Sequence, residues 1–327
     1  MKALPMREIF RPTIIALQIL GINFGKYENG KRSFSKISFI LTFLYLTLVA
    51  VFTVTYWKNR KYEPNFLLSK VVMLVLVNRG FGTLFVMVVL LVSAYSKTFV
   101  KLTILSRQID QLDLDLAKFG FGLEEKIAKM SYQHRKFLTS SLLVTHLLFN
   151  ACGDFSTAWI IPQDKINYFF VLMYPRLVVT TIHITFLTYT KILEERFKMV
   201  NEVVARNGQN FDHNIQRAVN CHRILTKQSQ NLNSIFNFQL LLTVILSFIL
   251  ILVDLHALLF LIFLKIFSPS AVVSLKNSVM YAVDIVYLIK RCSSLCFEVY
   301  KCGKIGGYCS VSVTILCYRQ IGLKRYF

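Results

Sequence analysis

Charge is scarce in this chain, and acidic charge is scarcer still. Asp, Glu, Lys and Arg make up 17% of its 327 residues, against about a quarter in soluble domains. Basic residues outnumber acidic ones 38 to 17. Also missing are a phosphate-cradling glycine loop, a dinucleotide fingerprint, a zinc-protease helix and a nucleophile elbow. Enzymatic catalysis therefore has no support in the sequence, and no cofactor is expected. There is no Asn-x-Ser/Thr sequon to mark an exposed loop.

What the chain has in abundance is apolar residues, 55% of the total. The longest apolar stretch, 238–264, holds only two ionisable groups, Asp254 and His256. As a helix rising about 1.5 Å per residue it would reach roughly 40 Å, more than the ~30 Å hydrocarbon core of a bilayer. A segment crossing lipid must pair its own backbone, so helix is the required form. Five further runs read the same way, giving predicted spans at 37–57, 71–95, 137–155, 166–189, 238–264 and 271–289. The expected fold class is all-α, a polytopic transmembrane helical bundle. Its predicted domain covers 1–305, and residues 306–327 form a divergent tail. Near the start, Thr13 to Leu20 imitates the core of a signal peptide, but no small-residue cleavage site follows. Pro12 instead suits the first turn of a short helix at the membrane face.

The formal net charge of +21 does not imply nucleic acid, because the basic residues lie between apolar spans rather than in one patch. Residues 1–36, 97–136, 191–237 and 290–327 hold seven, eight, seven and seven of them, 29 in all. The three intervening connections hold seven, and Arg79 and Arg176 fall within spans. The positive-inside rule puts both termini and the two long loops, after the second and fourth spans, in the cytoplasm. Six spans agree with two cytoplasmic ends. In 97–136, Ile104, Ile109, Leu112, Leu116 and Phe119 fall at near-helical spacing, and 191–237 is expected to be helical too. Of seven cysteines only Cys152 lies near the outer face, so no extracellular disulfide pair is available. Five cluster in the tail at spacings that match no standard zinc site.

Ionisable and polar groups inside spans are costly and face partners or cavities. Arg79, Asn150, Tyr174, Arg176, Asp254, His256, Tyr281 and Asp284 fall mostly in the outer half of the expected bundle. They are the candidate ligand-binding residues, since polar groups within an apolar shell are what a small-molecule pocket needs. Two readings stand for the arginines: contact with a ligand, or interhelical pairing with Asp254 or Asp284. No metal site is expected.

Two stretches carry a family resemblance. Leu232-Asn233, then Phe236, Phe238-Gln239 and Leu240-Leu241-Leu242, resemble the start of the fifth span of insect gustatory receptors. Cys296, Glu298, Lys301, Gly303-Lys304 and Ile305 resemble that family's segment after the sixth span, and Arg11-Pro12 through Gly21 also fits. The likeness runs from about residue 10 to 305. It implies a tastant-gated cation channel in the plasma membrane, a homo- or hetero-tetramer of seven-span subunits with a pocket in the outer half. The family's pore-lining last span carries Thr-Tyr, about five apolar residues, then Gln-Phe. That motif is absent after Ile305, and the apolar run Ser310 to Cys317 would extend only about 12 Å as a helix. The departure implies a truncated or divergent, non-conducting subunit. Two other classes compete. A multi-pass transporter would show internal repeats and broken helices in matching halves. A G-protein-coupled receptor would need seven spans and an outside N-terminus, which the charge count opposes.

Overall fold

The computed structural model describes residues 3–20, 25–28, 31–34, 98–119, 122–160, 174–206 and 211–267, with isolated helical positions between 40 and 54. The predicted spans at 71–95 and 271–289, and the tail with its cysteines, lie outside the described residues.

Six helices and one hairpin make up the described elements. Two short helices, α1 (Met6–Ile9) and α2 (Arg11–Ile19), open the chain. Strands β1 (Gly25–Glu28) and β2 (Lys31–Phe34) follow, paired antiparallel. Asn29-Gly30 stands between them, the sequence pattern that most strongly favours a two-residue hairpin loop. Then come α3 (Thr98–Ala117), α4 (Leu123–Ile160), α5 (Tyr174–Arg206) and α6 (Phe211–Phe267). The last three hold 38, 33 and 57 residues, so at 1.5 Å per residue they extend about 57, 50 and 86 Å. Each joins a predicted span to a polar segment without a break. The segments 97–136 and 191–237 are largely helical, as their spacing predicted, and they pack as a bundle.

The link between α3 and α4 turns at Gly122, whose φ of +70° lies in the left-handed region that side chains with a Cβ adopt only at a cost. Its carbonyl accepts the first backbone bond of α4, from the Lys126 amide at 3.1 Å. Glu124 and Glu125 occupy the first turn, where negative charge complements the helix dipole.

Side-chain contacts fix the helix directions. From α3 to α5, Ser106 meets Tyr189 and Asp113 meets Arg196, seven residues on in both helices, so the two run parallel. Lys126 with Glu202, His134 with Glu195, and Phe137 with Lys191 set α4 antiparallel to α5. Phe197 with His222 and Phe186 with Phe236 set α6 antiparallel to α5 as well. The core between them is one apolar cluster. Leu105, Ile109, Leu112 and Leu116 of α3 face Ile127 and Leu138 of α4, Leu193 and Phe197 of α5, and Leu225 and Leu232 of α6. The inward stripe of α3 runs through Leu105 rather than the expected Ile104: Leu105 is buried and Ile104 is 46% exposed. Leu102, Leu105, Ile109, Leu112 and Leu116 recur at alternating steps of three and four, and Ile104 falls off that face.

The character of the outer surface changes along the helices. On α4 the exposed residues up to Ser140 are mostly polar, among them Glu124, Glu125, Lys129, Gln133, Lys136, Thr139 and Ser140 beside Tyr132 and Phe137, and beyond them come Leu143, Val144, Leu147 and Leu148. On α6 they are Arg217, Asn220, Arg223, Lys227 and Gln230, then Phe238, Leu241, Ile245, Phe248, Leu252, Leu255 and Leu259. The two changes are marked on α5 at Lys191 and Phe186, five residues apart. Lys191 Nζ lies 4.8 Å from the Phe137 ring centre, and the Phe186 and Phe236 rings are 5.4 Å apart. In the first predicted span, Ile40, Phe43, Leu44, Val51 and Val54 are exposed too. On α5 the buried hydroxyls of Thr181, Thr185 and Thr188 donate to the carbonyls of Leu177, Thr181 and Ile184 at 2.7 Å. That satisfies them within the helix, as an apolar surrounding requires.

Candidate functional site

Five of the eight residues singled out from sequence lie on described helices. Asn150 is on α4, Tyr174 and Arg176 open α5, and Asp254 with His256 is on the last part of α6. Arg79, Tyr281 and Asp284 lie outside the described residues. The structure gives the five a place along their helices. Asn150 is 13 residues past Phe137, Arg176 is 15 before Lys191, and Asp254 is 16 past Phe238.

Sequence reasoning missed the polar network at the other end of the bundle. Arg196 of α5 is 0% exposed. Its Nε and Nη2 donate to the two carboxylate oxygens of Asp113 on α3, at 3.0 and 2.8 Å. The fork-to-carboxylate match is the strong, geometrically specific form of such a pair. Glu195, the next residue, approaches His134 Nε2 of α4 at 2.8 Å, an ion pair when the imidazole is protonated. Three helices are thus held by one string of charges inside an apolar core. A signal was present: Ile192, Arg196, Met199 and Val203 recur at helical steps, so a guanidinium stands in phase with buried apolar residues.

The same acidic turn of α3 fastens the N-terminal segment. The Met6 amide, an unpaired donor at the start of α1, donates to Asp110 Oδ1 at 2.7 Å. Burial pushes the Asp110 carboxyl above its ordinary pKa, with the Met6 amide opposing the shift. Phe10 stacks on Tyr189 with ring centres 4.0 Å apart and planes 11° from parallel. The Ser106 hydroxyl donates to the Leu102 carbonyl, so Tyr189 is the donor in the 2.6 Å bond between the two hydroxyls. On α6, burial lowers the pKa of His222 and pushes the Cys221 thiol up to about 11, which leaves it an unreactive core residue. Among the described residues, no group of three His, Cys, Asp or Glu is placed to hold a metal ion.

Counted over the described residues alone, no helix is long and apolar enough to cross a membrane. The run 238–264 is apolar by sequence and helical in the structure, though many of its side chains fall outside the description. Long helices are bundled at one end and carry exposed apolar residues at the other. The family model described as "7tm Chemosensory receptor" matches residues 10–315, and the chain belongs to that family. It is accordingly a multi-pass membrane protein of a receptor family, not of an enzyme family. The match continues ten residues beyond Ile305. No curated protein matches the chain.

Proposed function

We propose that this chain is a gustatory receptor subunit, a plasma-membrane receptor for small tastants of the ligand-gated cation channel type. It works as a tetramer with copies of itself or with related subunits. Membership of the chemosensory receptor family is the observation that carries this reading.

The height of the polar groups supports a pocket in the outer half. At 1.5 Å per residue, Asn150 stands about 20 Å beyond Phe137, Asp254 about 24 Å beyond Phe238, and Arg176 about 15 Å beyond Phe186. A hydrocarbon core is roughly 30 Å thick, so the three fall at or beyond its midplane. Tyr174 and His256 belong to the same layer, and we assign Arg79, Tyr281 and Asp284 to it from the neighbouring spans. Both termini lie in the cytoplasm, and the bundle of α1 to α6 ends is the cytoplasmic side.

The test is tastant-evoked current in cells that co-express the chain with a related subunit. Arg176→Ala should lower the response or the surface level more than Lys58→Ala, which removes a solvated charge. If Arg176→Asp with Asp284→Arg restores expression, the arginine pairs helices rather than touching ligand. Uptake of substrate without ligand-gated current would replace the channel with a transporter.

A further inference from the structure

The hairpin between α2 and the first predicted span has no part in the receptor reading. Its register pairs Gly25 with Phe34, Lys26 with Ser33, Tyr27 with Arg32 and Glu28 with Lys31. Directly opposed residues share a face, and faces alternate along a strand. Tyr27, Arg32 and Phe34 therefore fall on one face with Gly25, and Lys26, Glu28, Lys31 and Ser33 fall on the other. A two-stranded hairpin is marginal by itself in water, so this one needs a surface to lie against. The main packing among the described elements is helix on helix, and the strands pack principally on each other.

Connectivity says what surface is in reach. At one end α2 is held on the bundle through buried Thr13, Leu17 and Leu20. At the other end β2 stops at Phe34, three residues before the predicted span begins at Ile37. Three residues reach about 10 Å at ~3.3 Å each, so the hairpin sits at the membrane boundary. Residues 21–36 carry Lys26, Lys31, Arg32 and Lys36 against Glu28 alone. Tyrosine, phenylalanine and arginine together suit the interface between lipid and water. A net positive segment beside a span is drawn to acidic headgroups.

We propose that the β1–β2 hairpin is a membrane-surface element whose Tyr27, Arg32 and Phe34 face binds the anionic inner leaflet. This rests on the chain being an inserted membrane protein with its N-terminus inside. Taken over the whole segment 21–36, with Lys26, Lys31 and Lys36 reaching the headgroups beside Arg32, three net charges correspond to roughly a hundredfold preference for an acidic over a neutral surface.

The experiment is amide exchange across 25–34 of the full chain in nanodiscs of phosphatidylcholine, or of phosphatidylcholine mixed with phosphatidylserine. Exchange should be at least about tenfold slower in the acidic discs. Lys31→Gln with Arg32→Gln should erase most of that difference, and Tyr27→Ser with Phe34→Ser should speed exchange in both discs. Equal exchange in the two lipids would overturn the proposal, because the hairpin would then lie on the bundle or on a second copy. Quenching of Phe248→Trp emission by lipids brominated in their tails reports insertion independently. Quenching with no lipid-dependent exchange sinks the hairpin proposal alone, whereas no quenching sinks the membrane reading beneath it.

Discussion

Replacing Asp113 with asparagine removes the carboxylate that holds Arg196 and leaves the shape of the site intact. Arg196 is 0% exposed and Asp113 12%, so little water is available to solvate the guanidinium once its partner is neutral. Breaking a buried pair in this way costs about 3–5 kcal/mol, most of it the penalty of an uncompensated buried charge. The asparagine oxygen still accepts one hydrogen bond, which places Asp113→Asn near the low end, and Asp113→Ala near the high end, of the ~3–5 kcal/mol range. On the scaling for large domains, ~3 kcal/mol lowers the melting temperature by roughly 6–12 °C. The assay is thermal unfolding of purified protein in nanodiscs, read by loss of the monodisperse peak on size-exclusion chromatography. Removing both charges together, Asp113→Leu with Arg196→Met, should recover most of the loss, since well-packed apolar replacements of buried pairs are commonly neutral. A single Asp113→Asn variant that stays within about 0.5 kcal/mol of the parent, as surface substitutions do, would refute the reasoning.

Phe10→Ala removes the ring stacked on Tyr189 and opens a cavity where Phe10 is 4% exposed. A loss of about 3–5 kcal/mol should release the N-terminal segment, seen as faster tryptic cleavage at Arg7. Burial lowers the pKa of His222, so its contribution is present above the unfolded value of about 6.5 and is lost as pH falls through the folded value. His222→Phe should therefore flatten the fall in melting temperature on the acid side. Asp110 has the opposite sign. Its raised pKa makes its contribution full below the unfolded value of about 3.9 and lost as pH rises through the folded one. Asp110→Asn should remove that loss from the melting curve.

The hydrophobic pattern made the helices legible because apolar period and length are local properties. Ile109, Leu112 and Leu116 recur at helical steps and are buried on one face. The run from Phe238 is helical in one piece with the polar segment before it. What was not legible depends on which helix meets which. Asp113 and Arg196 are 83 residues apart, and nothing local marks them as partners, although Arg196 stands in phase with the apolar stripe of α5. Asp110 reads as a solvated carboxylate until the Met6 amide is placed against it. The hairpin was missed by the all-α expectation, because its short strands lack an apolar run, although Asn29-Gly30 favours such a turn. The outer-half polar residues were found by the cost of charge in lipid, a rule that locates them in depth and leaves their partners open.

The central claim is that the bundled helix ends lie in the cytoplasm and the apolar helix surfaces beyond Phe137 and Phe238 lie in the bilayer. Epitope tags before Met1 and after Phe327 test it directly in cells that express the chain. The account predicts antibody labelling of both tags only after the plasma membrane is permeabilised. Labelling of either tag on intact cells would contradict it.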